Sequence, residues 1–241
     1  MDTIFDEIPS LAKVEDREFG TPRKVKSFVL RSSGLKPFQL EALRLYYSSH
    51  VVEFQKEILD FKALFGNENP VIIEIGFGMG TSSHRIAKDR NEYNYLGLEV
   101  FLSGFAKLLS LVGNDGLSNI RLMRFDAVEV LTHMVADSSV AGFHIFFPDP
   151  WPKKKHHKRR LIQEPLANLM ASKLKKGGYI YSVTDWEEYA YQMLDVFAKV
   201  PSLTNPFGGF APPKAWRPTT SFEQKGLEQE FPINEVWVEK Q

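Results

Sequence analysis

Residues 148–160, PDPWPKKKHHKRR, place one carboxylate, Asp149, between two prolines and beside Trp151. Six Lys or Arg follow among the eight residues 153–160. The apolar run Phe143–Phe147 leads into this segment, so a buried strand would deliver Asp149 at its end. A carboxylate there can hold N–H donors or stabilise positive charge that develops in a reaction. The run Lys155, His156, His157, Lys158, Arg159 and Arg160 is suited to phosphate oxygens. The ordinary alternatives are a turn-forming Asp before Pro150 and a solvated start to the next helix. Trp151 suits two roles equally: stacking on an unstacked base, or pinning the loop to the core.

A second constellation lies upstream. Glu74-Ile75-Gly76-Phe77-Gly78-Met79-Gly80 ends an apolar run with glycines spaced GxGxG. Glycines let the backbone turn tightly and approach a ligand under a helix N-terminus. The spacing is not the GxGxxG of the dinucleotide fingerprint, and alone it is a weak signal. Glu99 ends the next expected strand, 23 residues after Gly76, where an acid can accept both hydroxyls of a ribose. Asp126-Ala127 follows the third strand, where an adenine amino group could be bound. Three acids, with no Arg expected near them in the crevice, disfavour a phosphorylated cofactor and suit a cationic adenosine such as S-adenosylmethionine.

The elements that must position these residues alternate. Strands are expected at Val71–Ile75, Tyr95–Val100, Ile120–Phe125, Phe143–Phe147 and Tyr179–Thr184, with Val236–Val238 as a last strand. Helices are expected at Thr81–Lys88 behind a Thr/Ser cap, Phe101–Leu111, Ala127–Val135, Leu161–Leu174 and Trp186–Lys199. Apolar steps of three and four from 38 to 65 predict one amphipathic helix, or two broken near Ser48-Ser49. Gly177-Gly178 closes a helix, and residues 201–218, with five Pro, read as a long loop. The rhythm predicts an α/β fold, a mostly parallel sheet with helices on both faces. Residues 1–36 read as a partly flexible extension, acidic and then basic, before a single domain at 37–241.

Lys+Arg and Asp+Glu both total 30, so affinity for nucleic acid must come from local patches. The absence of cysteine excludes disulfides and zinc–thiolate sites, and no His falls in an HxxxH pattern, so no metal is expected. There is no membrane-length apolar run and no signal-peptide pattern, so a cytoplasmic protein is expected. Monomer and homodimer both remain open.

The segments EIGFGMG (74–80), GLEV (97–100), FPDPWPKKKHHKRRL (147–161), TDWEEYA (184–190) and TTSFEQKG (219–226) together resemble the bacterial tRNA (guanine-N7)-methyltransferase family. LRSSGLKPFQLEAL (30–43) is a looser match, with Ser32-Ser33 where that family is more basic. The resemblance implies a class I S-adenosylmethionine-dependent methyltransferase (Rossmann-like) fold with seven strands, the last antiparallel. It implies S-adenosyl-L-methionine as donor, and as acceptor the variable-loop guanosine at position 46 of tRNA. By motif position, Glu74, Gly76, Gly78, Glu99, Asp126, Ala127 and Asp149 would line the cofactor and reaction site. Lys153, Asp185, Thr220, Ser221, Phe222 and Glu223 would lie at the substrate, although Phe222 also reads as a core anchor. The run Lys155–Arg160 would meet the RNA.

Guanine N7 is an unprotonated lone pair, so its methylation needs no strong base, and positioning does most of the work. Asp149 is the candidate catalytic carboxylate, while Asp185 and Glu223 suit the guanine N–H donors equally. Two alternatives stay open: methylation of another RNA or of an exocyclic base amine, and a non-catalytic RNA-binding protein on the same scaffold.

Overall fold

The computed structural model describes residues 34–219, 223 and 232–241. The N-terminal extension up to residue 33, and Thr220, Ser221 and Phe222, lie outside the described residues.

Seven strands form one sheet: β1 Val71–Ile75, β2 Asn94–Leu98, β3 Ile120–Met123, β4 Val140–Phe146, β5 Leu174–Thr184, β6 Leu203–Thr204 and β7 Asn234–Lys240. Their order is β3-β2-β1-β4-β5-β7-β6. The first five pair in parallel, and β7 runs antiparallel to both β5 and β6. The order reverses between β1 and β4, which opens a crevice at their C-terminal ends. β1 and β2 are buried at every position, as parallel strands covered on both faces must be.

Adjacent residues of one strand serve opposite layers. Ile73, Phe143, Ile180 and Val236 face a core closed by α5 Ala127–His133, α6 Glu164–Lys173 and α7 Glu187–Ala198. Ile72, Tyr95, Leu122 and Tyr181 face the other, closed by α1 Pro37–His50, α3 Thr81–Asp89 and α4 Leu102–Asn114.

Several local expectations are corrected. Of the two readings of 38–65, the structure has two helices rather than one. α1 ends at His50, the residue after the expected break, and β-branched Val51-Val52 turn extended, with Val52 N–H donating to Leu122 O at 2.9 Å. Phe54 then buries itself without a helix by stacking on Phe125 at 3.9 Å, and a short α2 occupies Phe61–Phe65. The helix after β4 begins at Glu164 rather than Leu161, because Pro165 is tolerated only in a first turn. Residues Lys154–Arg159 form a 3₁₀ turn of their own. Gly177-Gly178 lie inside β5, where the pairing jumps from Val140–Leu174 to Gly142–Tyr179. The long loop contains β6, which pairs with the end of β7.

Candidate active site

The glycine segment turns between β1 and α3 with Gly76, Gly78 and Gly80 all at positive φ (79°, 56° and 71°). Gly80 is itself the helix cap, so the expected Thr/Ser cap is absent and Thr81 is the first helical residue. A side chain on Gly76 or Gly78 would meet nothing within 4 Å, so their backbone faces open space. That space is a cavity of about 300 Å³, lined by the glycine turn, Glu74, Glu99, Asp126, Ala127 and Asp149, with Phe125, Phe146 and Leu161 as apolar walls. The structure thus gathers at one crevice the four acids expected there. No Lys or Arg is among the lining residues.

Glu99 is 8% exposed and accepts three backbone N–H groups: Gly78 and Val100 at 2.7 Å and Phe101 at 3.0 Å. Burial raises its pKa, these amides oppose the rise, and the negative Asp149 adds to it. Glu74 is more extreme. Burial lifts its carboxyl to about 7, helped by Glu99; the Ser83 hydroxyl lowers it, although its oxygen is out of hydrogen-bond geometry with every described group. Asp126 caps α5, with Oδ1 accepting Val128 N–H at 2.9 Å and Glu129 N–H at 3.4 Å. One expectation needs amending. No Arg was expected near these acids, but Arg124, two residues before Asp126, lies behind Glu99, its Nε donating to Val100 O at 3.3 Å.

Asp149 is exposed at the rim of the cavity, and no hydrogen bond to its carboxylate is found among the described residues. Its turn is unusual. Phe147 (φ 51°) and Trp151 (φ 45°) are non-glycine residues in the left-handed region, one on either side. Such conformations persist only where the surroundings impose them, and they cluster at functional sites. Asp185 sits half-buried after β5, which pairs with β4 through Phe146–Val183, so the two carboxylates leave neighbouring strand ends.

The cationic run divides. Lys153, Lys154, Lys155 and Lys158 are exposed, and no residue of the 3₁₀ turn is buried. His156 is held below its ordinary pKa, first by partial burial and then by the surrounding Lys155 and Arg159. Arg159 lies over the Trp151 ring at 3.9 Å, and His156 meets that ring edge-on at 5.9 Å. This favours the pinning role for Trp151. Arg160 is a correction: it is 2% exposed and points inward, so it does not face a phosphate.

Glu223 is also engaged. Arg217 grips both its oxygens, at 2.5 and 2.9 Å, and also donates to Glu235 at 2.8 Å and to the Tyr181 hydroxyl at 3.0 Å. Tyr181 in turn donates to Glu235. Sequence reasoning missed Arg217, Glu235 and Tyr181. The only local signal was the RPTTSFE run, because the strand register that unites them is not local.

Comparison with known proteins follows this geometry. Residues 68–236 match a family described as putative methyltransferase. The chain is 49% identical over 213 residues to the tRNA (guanine-N(7)-)-methyltransferase of Cupriavidus metallidurans, covering 87% of this chain and 81% of that one. It is 48% identical to the protein of that name from Neisseria gonorrhoeae, covering 88% and 89%. Among solved structures, the 16S rRNA methyltransferase KamB matches with a TM-score of 0.56 at 14% identity, over 80% of this chain and 99% of that one. The aminoglycoside resistance methyltransferase NpmB1 matches at 0.54 and 12%, over 78% and 95%. Those two show the class I methyltransferase fold alone. With half its sequence identical to the curated relatives across most of both lengths, and with the acid-lined crevice in place, the chain belongs to the tRNA (guanine-N7)-methyltransferase family.

Proposed function

We propose that this protein transfers a methyl group from S-adenosyl-L-methionine to N7 of a guanosine in tRNA, the variable-loop guanosine at position 46. One observation carries the reading: Asp149, exposed on a strained turn and without a hydrogen bond among the described residues, joins an acidic crevice whose lining holds no Lys or Arg to a solvent-facing cationic turn.

The residues fit the donor. The open glycine backbone leaves room for its amino-acid end, and Glu99 is placed for ribose hydroxyls. Asp126 and Ala127 lie beside Phe125, a flat apolar wall suited to an adenine. Four lining acids favour a ligand with positive charge over one with phosphates. When bound, the cofactor supplies an electrophilic methyl group on a sulfonium.

The chain's own work is positioning and charge. N7 needs no deprotonation, so Asp149 is not required as a base. Its carboxylate stabilises the positive charge that the purine acquires. Asp185, half-buried and without a hydrogen bond among the described residues, is placed to accept N1–H and the exocyclic amine. Glu223, fixed by Arg217, closes the acceptor side. Lys153 to Lys155 and Lys158 hold the backbone.

The test is methyl transfer from labelled donor to unmodified tRNA, followed by mapping of the modified nucleotide. Methyl at N7 of the variable-loop guanosine is expected, and none when that guanosine is replaced. Asp149→Asn should bind tRNA normally yet lose about 100-fold or more in single-turnover rate, the scale of one lost charge-stabilising group. A near-wild-type rate would remove Asp149 from the chemistry.

A further inference from the structure

Arg160 closes the cationic run in sequence but does the opposite of its neighbours, with a side chain only 1% exposed. Its donors are spent inside. Nε donates to the carbonyl of Pro150 at 2.8 Å. Nη1 donates to Gln192 Oε1 at 2.5 Å and reaches Glu188 Oε1 at 3.4 Å. Nη2 lies 3.1 Å from His157 Nε2, and the guanidinium sits over the Tyr189 ring at 4.9 Å.

These partners belong to two places that matter. Pro150 is the residue after Asp149. Glu188, Tyr189 and Gln192 lie in the first turns of α7, the helix entered directly from Asp185. The Asp149 turn has few other handles. Pro148, Pro150 and Pro152 have no N–H to offer, so at those positions only the carbonyls can be gripped: that of Pro150 by Arg160, while that of Pro152 lies 3.4 Å from His157 Nε2. Phe147 N–H fixes the entry by donating to Val183 O at 2.8 Å. Beyond it, the left-handed Phe147 and Trp151 would relax unless held from outside. The inward fork of Arg160 supplies that hold.

We infer that Arg160 is a positioning residue that ties the Asp149 turn to α7 and so sets Asp149 relative to Asp185. The inference rests on the proposed guanine-handling role of those two carboxylates. A planar guanidinium is needed, because one ammonium cannot serve a carbonyl on one side and two side chains on the other. The arrangement also links RNA grip to chemistry, since the 3₁₀ turn that carries the exposed lysines ends at Arg160.

The test compares full-length Arg160→Lys, Lys155→Ala, Asp149→Asn and the Arg160→Lys/Asp149→Asn double variant. Melting temperature, cofactor affinity, tRNA affinity against salt, and single-turnover rate at saturating tRNA are measured. Arg160→Lys is expected to keep cofactor affinity and the tRNA salt slope while its saturating rate falls about 100-fold, the scale of an ångström of misplacement. Lys155→Ala is expected to weaken tRNA binding with a shallower slope. If Arg160→Lys instead flattens the salt slope and keeps its saturating rate, Arg160 is a phosphate contact and the inference is overturned. Should Arg160→Lys lose its fold, Gln192→Ala removes the shorter of the two hydrogen bonds from Arg160 to α7. A roughly tenfold slower saturating rate then supports the inference, and a wild-type rate overturns it. Asp149→Asn alone reports on the guanine-handling reading. If it is slow, the double variant should be no slower, and multiplied losses would show that Arg160 does not act through Asp149.

Discussion

Glu74 shows how a single residue trades stability for a site. Its carboxyl is buried at the end of β1 with a pKa of about 7, against an ordinary 4.5. Below pH 4.5 the proton is bound in both folded and unfolded chains, so the group costs nothing. Between 4.5 and 7 only the unfolded chain has released it, so stability falls as pH rises, and above 7 the cost stays constant. The difference corresponds to about 3 kcal/mol at most. Glu74→Gln should therefore be more stable than wild type by about 1–3 kcal/mol at pH 8 in urea unfolding, with the gain vanishing below pH 5. A gain independent of pH would reject the burial argument. Residues of this kind were legible in sequence: Glu74, Glu99, Asp126 and Asp149 each follow an apolar run, and a strand end fixes where such an acid sits. Arg160 and Arg217 were not. A long cationic side chain reads as surface until the fold shows which way it turns, and both turn inward to hold an acid or its loop.

At the scale of elements, the glycine turn is shaped by α4 as well as by its own sequence. Gly104 in the first turns of that helix lies so close that a side chain there would come within 2.0 Å of the Gly78 carbonyl oxygen. In an isolated helix Gly→Ala would stabilise. Here Gly104→Ala should destabilise by about 1–3 kcal/mol in chemical denaturation, the usual cost of overpacking. It should also weaken cofactor binding in calorimetry, because the turn has to move. An unchanged binding constant would show that the turn gives way elsewhere. The strands between 71 and 184 were legible because each is an apolar run bounded by turn residues. The errors fell where tertiary contacts override local pattern. Phe54 satisfies the helical period from an extended chain, Pro165 resets the start of α6, and β6 is two residues whose only justification is β7.

Across the whole molecule acids and bases are equal in number, so under the proposed function a local patch, the exposed lysines of the 3₁₀ turn, supplies attraction for RNA. Replacing Lys154, Lys155 and Lys158 with Ala should weaken tRNA binding and lower the slope of log affinity against log salt by about 2, since each phosphate contact contributes roughly 0.7–0.9. Cofactor affinity should not change; a retained slope would place the RNA on another surface. The sheet order has a different consequence, in the timing of synthesis. β7 follows β5 and β6 in the chain, yet it lies between them, and it carries Glu235 into the network that holds Glu223. The residues lining the cofactor crevice lie between Glu74 and Leu161 and all precede this strand, whereas the acceptor side depends on it through Glu235. An unfinished protein still on the ribosome, surrounded by tRNA, is therefore built without the means to engage it fully.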